Sequence, residues 1–215
     1  MSGAPRSSSA LRGRSVTLLI VSEVLERGDV QFFFRPKVQE AEAETFELGV
    51  QSLFLILSPA GRKSHRRLRI GKKRMPANGR ERFWAKVERV GSLQRVLGVK
   101  LEAETYATKT RGDRYQPGAR PVAVGSYELV QEGDHIRFEY LAEPFGFDDA
   151  PDEITIPERG RHRVLWKRTT GGRGVWTSSG DIAKLDDEGT QIVLVGPSKE
   201  RAENDDARSP EATRV

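Results

Sequence analysis

Apolar residues recur at every second position along most of this chain, the spacing of one face of a β-strand. In "VQFFFRPKV" this alternation puts Val30, Phe32, Phe34 and Val38 on one side and Gln31, Arg35 and Lys37 on the other. Pro36 has no N–H to give to a ladder, so the strand ends there or runs along a sheet edge. "SLFLILSPAG" holds a continuous apolar run from Leu53 to Leu57, closed by Pro59 and Gly61. Such a run is what a strand buried on both faces requires.

"RKSHRRLRIGKKR", residues 62–74, alternates Leu68 and Ile70 with Arg67, Arg69 and, past Gly71, Lys72. It reads as a strand with one apolar and one basic face, joined to the preceding strand by a turn in "SPAGRKSH". "RERFWAKVERV" sets Phe83, Ala85 and Val87 against Trp84, Lys86 and Glu88; the spacing also allows the first turns of a helix, and its aromatic and β-branched content favours a strand. In "YELVQEGDHIRFEY", Tyr127 and Leu129 lead into a turn at Glu132, Gly133 and Asp134, and Ile136, Phe138 and Tyr140 return on one face. "HRVLWKRT" sets Val164 and Trp166 against Arg163, Leu165 and Lys167, and "VWTS" and "QIVLVG" extend after it.

Helical spacing occurs only in short stretches. Leu93, Val96 and Leu97, with Ser92 as N-cap and Gly98 as stop, predict a helix over 92–97. "EAEAETF", residues 40–46, has no apolar stripe and reads as a solvated loop. The pattern predicts a mainly β fold, an antiparallel sandwich or barrel of about nine strands with one short helix. An α+β fold is the alternative.

Polar, turn-rich composition bounds this domain. Residues 1–14 read as a disordered leader, 15–196 as a single mainly β domain and 197–215 as a disordered tail. "ETYATKTRGDRYQPGARPVAVG" is polar enough to allow a subdivision near 100–125. There it is either a linker or a long functional loop, the latter built around Lys109, Arg111, Arg114, Tyr115 and Arg120.

The chain has no cysteine, which excludes disulfides and thiolate chemistry, and only three histidines for any metal site. The apolar run Val16–Val21 is too short for a signal peptide, and no stretch approaches a membrane span. A cytoplasmic, soluble protein with no cofactor and no membrane partner is expected.

The net charge of +5 is unevenly spread. Residues 62–74 alone carry eight of the 36 basic residues and no acid, so the remainder sums to −3. A second acid-free segment holds Arg159, Arg161, Arg163, Lys167, Arg168 and Arg173 within fifteen residues. Clustered cations displace the counterions condensed on a nucleic-acid backbone, and ion release drives binding. The candidate polyanion-binding residues are therefore Arg62, Lys63, Arg67, Arg69, Lys72, Lys73 and Arg74, with Arg161, Arg163, Lys167 and Arg168 secondary. Trp84, Trp166 and Trp176 are candidate stacking surfaces for bases. Set against this, a sheet open to water on one side is commonly charged there, and Trp is more often core than platform.

No pattern fixes a reaction. Glu143, Asp148, Asp149, Asp152 and Glu153 cluster in one loop, but without the alternation of an EF-hand, and read as a solvated acidic loop. His65, His135 and His162 form neither a triad nor a metal cluster; Asp134 beside His135 would point to the opposite face of a strand. "GGRG" at 171–174 lacks the phosphate-loop spacing, and "RGD" at 111–113 is a chance-level match. The expectation is a non-enzymatic binding module with a basic sheet face for an anionic partner, nucleic acid foremost. Alternatives are a protein–protein or structural module with an acidic partner, and an enzyme using the acidic loop to hold a metal.

Overall fold

The computed structural model describes residues 22–40, 49–98, 101–110, 112–144, 151, 154–170 and 173–198. These form twelve strands: β1 (Ser22–Pro36), β2 (Gln39–Glu40), β3 (Val50–Pro59), β4 (His65–Ile70), β5 (Arg82–Gly91), β6 (Glu104–Thr108), β7 (Gly112–Gln116), β8 (Arg120–Glu132), β9 (His135–Pro144), β10 (Arg159–Thr170), β11 (Arg173–Thr177) and β12 (Gln191–Val195). One helix, α1 (Leu93–Leu97), and one 3-10 turn (Ile182–Asp186) complete the described elements. Ser92 caps α1 as its sequence predicts, accepting a hydrogen bond from the Arg95 amide.

Eight strands close into an antiparallel barrel in the order β1-β3-β4-β5-β12-β10-β9-β8, with β8 returning to β1. The barrel is two four-stranded meanders, β1-β3-β4-β5 and β8-β9-β10-β12, joined at two seams, β5–β12 and β8–β1. Closure leaves no open barrel edge for another chain to pair with. Val164 pairs with both Ile136 and Leu194, and Trp166 with both Thr177 and Ile192. β9 and β11 therefore lie end to end along one edge of β10, and β12 lies along the other.

The inward face follows the period-two pattern. Val30, Phe32 and Phe34, Leu53, Leu55 and Leu57, Leu68 and Ile70, Phe83 and Ala85, Val164 and Trp166, and Ile192 and Leu194 all enter the core. The interior retains a cavity of only about 20 Å³, lined by apolar side chains such as Leu57, Leu68 and Trp166. Among the described residues, this lumen is filled by side chains.

The two ends are closed differently. At the lower end, where β4, β9 and β12 begin, the 3-10 turn inserts Leu185 into the core. Its Asp186 accepts from Arg66 Nε (2.7 Å) and from Arg62 Nη2 (2.7 Å). Arg66 Nη1 also donates to Glu26 (2.5 Å), which accepts from the Tyr127 hydroxyl (2.7 Å). Hydrogen bonds and ion pairs thus compensate the burial of Arg66, which is 0% exposed.

At the upper end, where β1 and β4 finish and β10 begins, Met75 is buried and Ile154 and Ile156 pack on the core. Beneath this end His162, 1% exposed, stacks against Phe138 (6.4 Å between centroids) and Tyr140 (5.8 Å). Neither its ring nitrogens nor the Tyr140 hydroxyl has a hydrogen-bond partner among the described residues. Gly160 makes this packing possible, because a Cβ there would fall 2.0 Å from the Tyr140 ring.

The described residues between 92 and 119 lie on the outside of the barrel, between the lower end of β5 and the upper start of β8. They pack Val96, Leu97, Leu101 and Ala119 on Phe33, Phe54 and Ile56. That second cluster is why the run 53–57 is apolar on both faces. The stretch expected as linker or loop folds in part as β6 and β7, which form a three-stranded sheet with β2. This sheet is tied to the barrel by Arg35 to Glu104 (3.3 Å) and by Gln116 Nε2 to the Pro36 carbonyl (2.8 Å). No helix among the described residues is long and apolar enough to cross a membrane. Residues 1–14, most of "EAEAETF" and all but Pro197 and Ser198 of the expected tail lie outside the described residues.

Candidate polyanion interface

Pairing across β4, β5, β12, β10 and β11 aligns their outward side chains in rows. One row reads Arg69, Lys86, Gln191, Lys167 and Trp176. A second reads Trp84, Val193 and Leu165, and a third Arg82, Val195 and Arg163. Neighbouring rows lie about 7 Å apart along the strands, and neighbouring strands about 4.8 Å apart. An apolar stripe centred on Trp84 thus runs between two cationic rows.

Arg82, Lys86 and Arg163 are exposed and form no ion pair among the described residues. Lys167 donates to Gln191 (2.9 Å). Among the described residues, acids stand at the margins of this wall. Glu88 lies 3.9 Å from Arg69 at the lower edge, and Glu139 lies 3.1 Å from Arg161 at the β9 side.

Where β4 ends, the wall opens into a cleft of about 480 Å³ lined by Ser52, Arg69, Gly71, Lys72, Lys73, Arg74 and Trp84. The indole of Trp84 lies over Gly71, where a Cβ would fall 2.3 Å from two of its ring atoms. Arg74 is partly committed elsewhere. It donates to both Glu81 carboxylate oxygens (2.8 and 2.5 Å) and sits 5.1 Å from the Phe83 ring. Those bonds from Arg74, with one from the Ala77 amide, hold Glu81 down to about 2.

The basic run 62–74 is therefore divided among three environments. Arg69, Lys72 and Lys73 belong to the wall and its cleft. Arg62 and Lys63 sit at the far, lower end, Lys63 exposed in the turn and Arg62 bonded to Asp186 and Glu26.

Arg67 corrects the expectation of a wet basic face. It does point outward, opposite Leu68, but the connection bearing α1 covers it and leaves it 1% exposed. Its Nη1 donates to the Val96 carbonyl at the C-terminal end of α1 (2.9 Å), and its guanidinium lies 5.8 Å from the Phe54 ring. Burial lowers its pKa, with Glu88 opposing that effect. Such a side chain is packed between the barrel and α1 and is not open to water.

Of the second segment, Arg163 and Lys167 lie on the wall, Arg161 sits beside Glu139, and the Arg168 side chain lies outside the described residues. Trp166 is also corrected as a platform: it is 1% exposed, inside the barrel. Trp84 and Trp176, at 46% and 42%, are on the wall. Sequence reading missed Arg82, Lys86 and Gln191 as neighbours of these groups. The alternation of β5 already put Lys86 outward, but only strand order brings β5 and β12 between the two basic segments.

Catalytic geometry does not assemble among the histidines. His65 Nδ1 meets Ser58 Oγ at 2.8 Å. His135 Nδ1 does reach Asp134 at 3.4 Å, because Asp134 sits in the turn and not on the strand. Ser178 bonds to that Asp (3.3 Å) and not to the imidazole, and His65, the one histidine that meets a hydroxyl, has no carboxylate bonded to its ring among the described residues. Burial alone pushes His162 down to about 4. No cluster of three or more potential metal ligands occurs among the described residues. Asp148, Asp149, Asp152 and Glu153 lie outside them, and Glu143 is exposed at the end of β9.

Compared with protein-family models, curated proteins and solved structures, the chain matches none.

Proposed function

We propose that this protein is a non-enzymatic binding module for an anionic chain, nucleic acid foremost. The observation that carries this reading is the wall on which cations from both basic segments, Arg69 with Arg163 and Lys167, stand beside Arg82 and Lys86, with the acids among the described residues at its margins. Such a row replaces condensed counterions along a phosphate backbone, and its affinity falls steeply with salt. The cleft beside Lys72 and Lys73 extends the contact upward. Recognition through phosphates alone carries no sequence information.

The test is a salt titration of binding, read by fluorescence anisotropy of labelled DNA. Log affinity is expected to fall linearly with log salt, by about 0.7 per phosphate on a single strand and 0.9 on a duplex. Changing Arg69→Glu and Lys86→Glu together is expected to flatten that slope by roughly one contact each. Absence of binding at low salt, or binding indifferent to salt, would overturn the reading. The exposed Trp84, beside the half-buried Leu165 and between cations, favours a second reading, an acidic protein partner, because interfaces commonly join an apolar centre to a polar rim. A protein that ignores nucleic acid and binds an acidic protein in a manner lost with Trp84→Ala would support it.

A further inference from the structure

Two of the three tryptophans stand on the cationic wall, and the third is core. Trp84 and Trp176 are each nearly half exposed, at 46% and 42%. Trp84 is held by its packing over Gly71. Trp176 stands opposite Lys167 and so on the same outward face. Three strand steps and two residues along the strand separate them, about 16 Å along the sheet. Between them lie Lys167, Gln191 and Lys86, and no acid among the described residues.

We infer that the wall takes single-stranded nucleic acid, stacking bases on Trp84 and Trp176 while Arg69, Lys86 and Lys167 hold the phosphates. This rests on the polyanion reading and adds the strand state to it. Every base of a single strand has a free π-face, and base–aromatic stacking next to cations tolerates any sequence. A duplex keeps those faces inside its own stack, so the indoles would meet only sugar and phosphate. Duplex reading also calls for an element that enters a groove. The only α-helix among the described residues spans five residues, and its Val96 side chain is buried against the barrel. An acidic protein offers carboxylates to the cations, but not the regular succession of planar bases, each joined to a phosphate, that a strand brings to platforms set among cations.

The experiment compares three labelled ligands of about ten nucleotides near physiological salt: a single strand, its duplex, and an abasic strand that keeps the phosphates and drops the bases. The single strand is expected to bind at least about tenfold more tightly than either control, and to quench tryptophan emission. Trp84→Ala and Trp176→Ala are each expected to weaken single-strand binding by about 5- to 100-fold. Both should leave the abasic strand's affinity unchanged, and Trp84→Tyr should restore most of the loss. Equal affinity for the abasic strand or the duplex would overturn the inference, as would unchanged binding by both alanine variants. A salt-dependent affinity in those cases leaves the polyanion reading standing. Failure of all three ligands to bind at low salt removes both.

Discussion

The lower end of the barrel is closed by charge and the upper end by uncharged rings. Below, Arg66 is as buried as any described residue, yet it is bonded to Glu26 and Asp186. Above, His162 is equally buried, and its ring nitrogens have no hydrogen-bond partner among the described residues. A guanidinium cannot lose its charge at accessible pH, so its burial demands partners. An imidazole can, so burial instead selects the neutral form. The same loss of water gave an ion-pair network at one end and a depressed pKa at the other.

The largest expected effect breaks the lower end. Arg66→Met should destabilise the protein by about 3–5 kcal/mol, because Glu26 and Asp186 are left without their cation. Urea unfolding followed by circular dichroism measures this. A loss below about 1 kcal/mol would mean that the network fills space without contributing stability.

Acid should then separate the two ends. His162 titrates near 4 when folded and near 6.5 when unfolded. Its neutral burial therefore leaves stability fully present above about pH 6.5 and lost progressively as the pH falls toward 4. Each pH unit across that window removes about 1.4 kcal/mol, so the loss approaches about 3 kcal/mol. His162→Phe should flatten the stability profile across the same window. Asp186 behaves in the other sense. Burial would raise its carboxyl, but the hydrogen bonds from Arg66 and Arg62 outweigh that and hold it below its ordinary value. Its contribution is present above about pH 4 and lost only below. Urea melts at intervals from pH 7.5 to 3.5 distinguish the windows, and a His162→Phe profile parallel to wild type would remove the upper-end account.

The smallest expected effect lies on the wall. Arg69→Glu and Lys86→Glu should each change stability by no more than about 0.5 kcal/mol, since both side chains project into water. The same urea melts test this. The contrast with Arg66, three positions from Arg69 on the same strand, would be lost if these variants unfolded the protein.

Period two carried most of the fold. It put Leu68 and Ile70 inside and Arg69 outside, and the turn at Gly133 joined β8 to β9 where the sequence placed it. The fate of Arg67 was hidden, because its cover comes from α1, some thirty residues later, and alternation describes only one strand. Arg66 was hidden for another reason. Its inward position was legible from Leu68, but its acids sit 40 and 120 residues away. The wall needed strand order above all: Lys86 and Lys167 become neighbours only because β12, the last barrel strand, pairs with both β5 and β10.

That late strand has a consequence for how the molecule is made. The first meander presents two bare flanks, β1 and β5, until the second is synthesised. β8 covers one, but the other waits for residues 191–195, long after β5 leaves the ribosome. Closure therefore joins segments about a hundred residues apart, the kind of pairing that folds slowly and leaves nascent flanks open to wrong partners. The five residues of β12 act as a latch: until they seat, no barrel exists and no wall spans the two basic segments.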